Sequence, residues 1–325
     1  MPWILRCAQN DREKREGDRV TATRPEIRQV VWITLGAVAV FLFLRFLPTG
    51  TNLNHMDFRV TAKNAIDFCD PLNPQFIPVV AAASPVTLTL TSDAPVQSGR
   101  ETAFTLRLRT ASNKAIAPED LVVAHTRLLH LLIVDPTLTD YQHVHPEPSR
   151  TRGEWKFSFT PHRNGTYRVF ADFTPAATGR GLYANADVVV SGGGEAAATP
   201  PKESLAWTAE REGFRFALTP NAPIRAGKPA DLKFTIERVG GGPADTVPLE
   251  PVMGAFAHLV AFDETRSGFA HLHPMETDLA RRPDAKRPEL NFKITIPRAG
   301  RYVIWSQVNV GGKEVFAPFW FEVGG

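Results

Sequence analysis

The chain has 325 residues, 43% apolar and 22% charged, with a formal net charge of +3. That is enough material for two globular domains with real cores and too few charges for a disordered tail protein. Twenty-seven prolines, 23 glycines and short alternating runs of Val, Thr and Phe argue for strands joined by turns and against a helical bundle, and no basic patch suggests a nucleic-acid partner.

Residues 1–28 carry seven basic and five acidic side chains and read as a cytoplasmic tail. Gln29 to Leu44 carry no charge. With Arg45 snorkelling and Phe46 and Leu47 added, they make a helix of about 28 Å, close to the roughly 30 Å of a bilayer core. Residues 29–48 are therefore predicted as a transmembrane helix and the chain's contact with the membrane. The basic residues before it keep the tail inside and place the remainder outside the cytoplasm, in a periplasmic or extracellular space. A cleaved signal peptide is the competing reading, but no small-x-small pattern or lipobox cysteine follows the apolar run. Cys7 and Cys69 then lie on opposite sides of a membrane. Cys69 is left as a free thiol, an intermolecular bridge or a soft-metal ligand. Residues 49–83 read as a stem of unassigned fold, with His55 and Met56 as stem residues.

Beyond the stem the sequence repeats. LTSDAPVQSGRETAFTLRL from Leu90 falls on LTPNAPIRAGKPADLKFTI from Leu218, and HLLIVDPTLTDYQHVHP from His130 falls on HLVAFDETRSGFAHLHP from His258, both at an offset of 128. FSFTPHRNGTY, ending at Tyr167, matches FKITIPRAGRY, ending at Tyr302, at an offset of 135, so the second copy holds seven extra residues near Arg281 to Glu289, read as a solvated loop. Period-2 runs punctuated by turns predict an all-β protein: two tandem antiparallel immunoglobulin-like β-sandwiches at 84–191 and 205–325, joined by a linker at 192–204 and preceded by the one helix. The pairs Gly165/Tyr167 and Gly300/Tyr302 match a tyrosine corner. A single domain with internal symmetry is the alternative.

Six of the nine histidines occupy equivalent places: His130, His143 and His145 in the first copy, His258, His271 and His273 in the second. If Val134 opposes Tyr141 in a hairpin, His130 falls opposite His145, with His143 on the same face. If Phe262 opposes Phe269, His258 falls opposite His273, with His271 beside them. Directly opposed Cβ atoms lie about 5 Å apart and diagonal ones roughly 7 Å, so each trio of imidazoles can meet at one ion. Three neutral imidazoles suit Zn(II) or Cu(II), and an added thioether favours Cu(I). His125, its equivalent Met253, and Met275 are further candidate ligands. Two ions, or one site at an interface between modules, both fit the pattern. The opposing reading is a hydrogen-bonded buried histidine network. Asp135 and Asp263 are expected to cap their own turns, and His162 to be a solvated loop residue.

The string H-L-x-x-x-D, a short turn, an aromatic, H-x-H-P and a later G-x-Y resembles bacterial envelope β-sandwich modules of the YtkA-like kind, over roughly 90–190 and 215–323. That resemblance implies copper or heavy-metal handling. The leading expectation is a membrane-anchored extracytoplasmic protein that binds copper or zinc and acts as carrier, buffer or sensor. One alternative is a non-catalytic module that binds another envelope protein, its histidines serving the hairpins. Another is a metal-dependent enzyme using a three-histidine site, the minority view, since no catalytic base or nucleophile stands beside the histidines in either copy and Gly-x-Ser-x-Gly, phosphate-loop and HExxH patterns are absent.

Overall fold

The computed structural model describes residues 24–46, 53–59, 74–192, 205–242 and 245–325. Cys7, Cys69, most of the expected tail and nearly all of the expected linker lie outside the described residues. Helix α1 (Arg24–Phe46) has 23 residues and is about 35 Å long. It begins five residues before the expected span of 29–48 because Pro25 fits the first turn, where a missing N–H breaks no helical bond. Its stretch Pro25–Leu44, of mean hydropathy 2.0, is long and apolar enough to cross a bilayer. This helix belongs to one structural unit, and residues Asn52–Gly325 form a second.

In that second unit each repeat is a sandwich of two antiparallel sheets. The first repeat contributes β1 (Val86–Ser92), β2 (Thr102–Thr110), β3 (Leu121–Val122), β4 (Leu129–Val134), β5 (Tyr141–Val144), β6 (Glu147–Pro148), β7 (Glu154–Phe159), β8 (Gly165–Pro175) and β9 (Leu182–Val190). Its outer sheet runs β1-β2-β7-β6. Its inner sheet runs β3-β8-β4-β5, with β9 also on β8. The second repeat contributes β10 (Thr208–Arg211), β11 (Phe214–Pro220), β12 (Pro229–Arg238), β13 (Leu249–Glu250), β14 (His258–Asp263), β15 (Phe269–Leu272), β16 (Glu289–Thr295), β17 (Gly300–Val310) and β18 (Lys313–Val323). Its sheets are β10-β11-β12-β16 and β13-β17-β14-β15, the latter with β18 on β17.

The two inner sheets pack against each other, so the repeats make four β layers. Strands β4 and β14 are apolar on both faces for this reason. Leu131 and Ile133 fill the first sandwich core and Leu259 and Ala261 the second. Leu132, Val134, Val260 and Phe262, one residue out of phase, fill a third core between the sandwiches together with Tyr141, Phe170, Phe269 and Trp305. Aromatic edges knit this layer, with ring centroids 5.3 Å apart for Phe170 and Phe269 and 5.5 Å for Tyr141 and Phe262. Arg168 donates to Arg266 O (2.9 Å) and Arg266 to Thr166 O (2.6 Å), a reciprocal clasp at the edge of the contact.

The described parts of the expected stem belong to the sandwiches. Leu53, just before a 3-10 turn capped by Asn54, and Phe58, the last residue of that turn, enter the first core, Phe76 the second, and Ile77 and Val79 the layer between. Ile77 pairs with Phe269 on the outer edge of β15. A Cβ on Gly268 would lie 1.8 Å from Ile77 O, so only glycine admits that approach.

The tyrosine corners form. Tyr302 donates to Arg298 O (3.1 Å), while Tyr167 accepts from the Arg163 N–H (3.0 Å) and donates to Asp140 Oδ2 (2.5 Å).

Candidate metal centre

Hairpin register places the histidines. Val134 pairs with Tyr141 and Leu132 with His143; Phe262 pairs with Phe269 and Val260 with His271. The turns are set by Asp135 and Asp263, as expected. Asp135 accepts from the N–H groups of Thr137, Thr139 and Asp140, and Asp263 from that of Ser267. In this register His130, His143 and His145 share the β4–β5 face turned toward the other sandwich, and His258, His271 and His273 share the matching face of β14–β15.

Within each trio one nitrogen per ring comes within 4.8 Å of the others, a grouping able to hold a metal ion. The two trios also face each other. The rings of His143 and His271 are 5.5 Å apart and those of His130 and His271 5.8 Å, little more than the 4.7–5.4 Å found inside the trios.

The hydrogen bonds fix where each proton sits. His130 Nε2 lies 3.0 Å from Ala124 O and His258 Nε2 lies 2.9 Å from Val252 O. A carbonyl only accepts, so both Nε2 atoms carry the proton and both Nδ1 atoms present a lone pair. Gln307 spends its amide N–H on Glu314 (2.7 Å), which leaves its oxygen to accept from His143 Nδ1 (2.9 Å). Asp172 Oδ2 accepts from His271 Nδ1 (3.2 Å). His143 and His271 therefore present lone pairs at Nε2. These point at the lone pairs already assigned: His130 Nδ1 to His143 Nε2 is 3.2 Å, and His258 Nδ1 to His271 Nε2 is 3.2 Å. The remaining rings, His145 and His273, each bury an Nε2 with no hydrogen-bond partner among the described residues.

Two lone pairs at hydrogen-bond distance repel unless a proton or a cation lies between them. Burial opposes the proton. It pushes the His145 pKa down to about 3 and that of His258 to about 4, lowers that of His130, and holds His143, His271 and His273 well below the ordinary imidazole value. Two nitrogens each about 2.0–2.1 Å from one ion at a near-tetrahedral angle lie roughly 3.3–3.4 Å apart, close to the spacing observed. The donor set fits a borderline divalent cation.

His125 and Met253 occupy equivalent turns, with φ of +48° and +49°, that bring Ala124 O and Val252 O under His130 and His258. His125 is exposed at the mouth of the cluster and stacks on His273, with ring centroids 3.7 Å apart. Met253 is half-buried. Met275, an expected extra ligand, is instead 63% exposed, in the loop after β15 whose backbone bonds to Asn291 O. The extended pattern of His271 and His273 ends there, so Met275 no longer continues their face. His162 is solvated as expected, though it also contacts Asp140 Oδ1 at 3.0 Å. His55 and Met56 are exposed on the 3-10 turn.

Asp172 and Gln307 are the residues that sequence reasoning missed. They are equivalent at the offset of 135 that applies after the second copy's insertion, and β-pairing sets Asp172 opposite His130 and Gln307 opposite His258. Applying that offset to the strand beside each histidine hairpin would have found the pair.

Fold and site together define a double β-sandwich protein with an N-terminal apolar helix and a histidine cluster held between its repeats. The chain belongs to the DUF8832 family, a domain of unknown function, which matches it twice, at residues 81–191 and 209–325. No curated protein matches the chain. Among solved structures, it is similar to a Corynebacterium diphtheriae protein described as membrane anchored, at 11% identity and a TM-score of 0.21 over 75% of this chain and 60% of that one. It is also similar to E. coli alpha-2-macroglobulin in its native conformation, at 14% identity and a TM-score of 0.25 over 79% of this chain and 15% of that one. The chain thus spans less than two thirds of the length of either.

Proposed function

We propose that this is a membrane-anchored, extracytoplasmic metal-binding protein that holds copper or zinc on its two histidine trios and acts as a carrier or buffer. The observation that carries the reading is the pair of lone-pair contacts, His130 Nδ1 to His143 Nε2 and His258 Nδ1 to His271 Nε2, each 3.2 Å and each with its proton committed elsewhere. A purely structural network would place a proton in those gaps. An all-nitrogen donor set suits Cu(II) and Zn(II), and the resemblance of the hairpin string to YtkA-like modules favours copper. The apolar length of α1 and the basic residues before it support anchoring with the sandwiches outside the cytoplasm.

The test is equilibrium uptake of Cu(II) and of Zn(II) by the full chain in detergent micelles. The reading expects binding by the native protein and its loss when His143, His145, His271 and His273 are replaced together by Ala. Undiminished uptake by that variant would end it.

A further inference from the structure

The two trios share their histidines but differ in what stands behind them. Asp172 on β8 and Gln307 on β17 hold the same place in the repeat, and each reaches across the interface to the other sandwich. The carboxylate of Asp172 backs His271, and the amide oxygen of Gln307 backs His143. A carboxylate behind a ligating imidazole raises the basicity of its far nitrogen and adds a negative charge near the ion; a neutral amide orients the ring and adds none. The charge of Glu314 stands one amide further back, on an exposed side chain where solvent screens it. His125 adds a second asymmetry, because it stacks on His273 at 3.7 Å whereas its counterpart in the repeat is Met253.

We infer that the trios form an ordered pair. His258, His271 and His273, with Asp172 behind them, take the first divalent ion, and His130, His143 and His145, with Gln307 behind them, take the second and release it first. Proximity widens the gap. With the His143 and His271 rings 5.5 Å apart, the second ion arrives against the charge of the first. The protein then retains one ion and exchanges the other, as a carrier requires. Asp172 and Gln307 are positioning residues in this scheme. The inference rests on the reading of the trios as metal sites.

The experiment is a Zn(II) titration of the full chain in micelles against a competing chromophoric chelator. Two binding steps are expected, tenfold or more apart. Replacing His271 and His273 by Ala should remove the tight step alone, and replacing His143 and His145 by Ala the weak step alone. Asp172→Asn, which keeps the shape and an acceptor for His271, should weaken the tight step by about 10- to 100-fold. Gln307→Glu combined with Glu314→Gln keeps the bond between residues 307 and 314 while moving the carboxylate next to His143. It should tighten the weak step by a similar factor, a gain that misfolding cannot produce. Two equal steps, or a tight step that vanishes with His143 and His145, would overturn the ordering while leaving the metal reading intact. No uptake by the native chain would overturn both.

Discussion

Trp305 of the second sandwich donates its indole N–H to Leu138 O of the first, 3.1 Å away, at the tip of the turn that leads from β4 into β5. That turn holds Leu138 at φ +62°, with its side chain wholly buried. The bond joins the hairpin carrying His130 and His143 to the strand carrying Gln307, so the packing of one sandwich on the other and the geometry of the histidine cluster are one mechanical problem.

Trp305→Phe keeps most of the ring's apolar contact and leaves Leu138 O without its donor. The expected cost is about 1–3 kcal/mol. Phe262→Ala, at a position fully buried between Tyr141 and Phe170, should cost about 3–5 kcal/mol. Denaturant unfolding of the micelle-bound chain measures both. The two changes should also lower metal affinity, because Asp172 and Gln307 reach the opposite trio only while the sandwiches stay packed.

The histidine hairpins were legible in the sequence because period-2 alternation leaves one register that buries the apolar residues, and that register also aligns the imidazoles. Pairings of Val134 with Tyr141 and Phe262 with Phe269 follow from turn length and pattern alone. The joint character of the site was legible only as one of two arrangements, two separate ions or one site between the modules. Leu131 to Val134 and Leu259 to Phe262 are apolar on both faces, which shows that a second layer covers them but not which layer. Asp172 and Gln307 were hidden by the shift in offset and by their different side chains: an Asp beside a Gln does not look like a repeat. Met275 lies exposed beyond the end of β15, because the strand stops at Leu272 before the spacing from His273 can continue along it.

The tyrosine corners offer a paired comparison. Tyr167 has two partners, the Arg163 N–H and the carboxylate of Asp140, whereas Tyr302 donates to Arg298 O alone. Asp140 also accepts from the His162 N–H (2.8 Å). Removing the Tyr167 hydroxyl breaks a charged network, so Tyr167→Phe should cost about 1.5–3 kcal/mol and Tyr302→Phe about 1 kcal/mol. Equal losses would show that Asp140 is satisfied without Tyr167.

Stability of the metal-free protein should depend on pH in a definite direction. Burial lowers the folded-state pKa of the cluster histidines, to about 4 for His258 and about 3 for His145, while unfolded imidazoles titrate near 6.5. Below pH 6.5 the unfolded chain therefore binds more protons than the folded one, so the stabilisation is complete above that pH and is lost as pH falls toward 4. Urea midpoints at pH 7.5, 6.0 and 5.0 should decline in that order, and replacing His143 and His271 by Gln should flatten the trend. A native profile that instead rises as pH falls from 7.5 would mean that the folded rings already hold protons, one filling each 3.2 Å gap.

His125 tests the mouth of the cluster separately from its interior. Its ring is exposed and lies over His273, yet its backbone sits at φ +48°, which costs a non-glycine residue about 1 kcal/mol. His125→Gly removes the ring, relieves that strain and leaves Ala124 O in place to accept from His130. The fold should keep its stability to within about 1 kcal/mol, since the strain relieved offsets the stacking lost and the added freedom of the unfolded chain. If His125 shields the ion held by His258, His271 and His273, transfer of Zn(II) from the loaded variant to a chelator in stopped-flow should be at least several-fold faster, with the other release phase unchanged. Equal acceleration of both phases would mean that the ring closes the whole cluster, and no acceleration would make it a bystander at the surface.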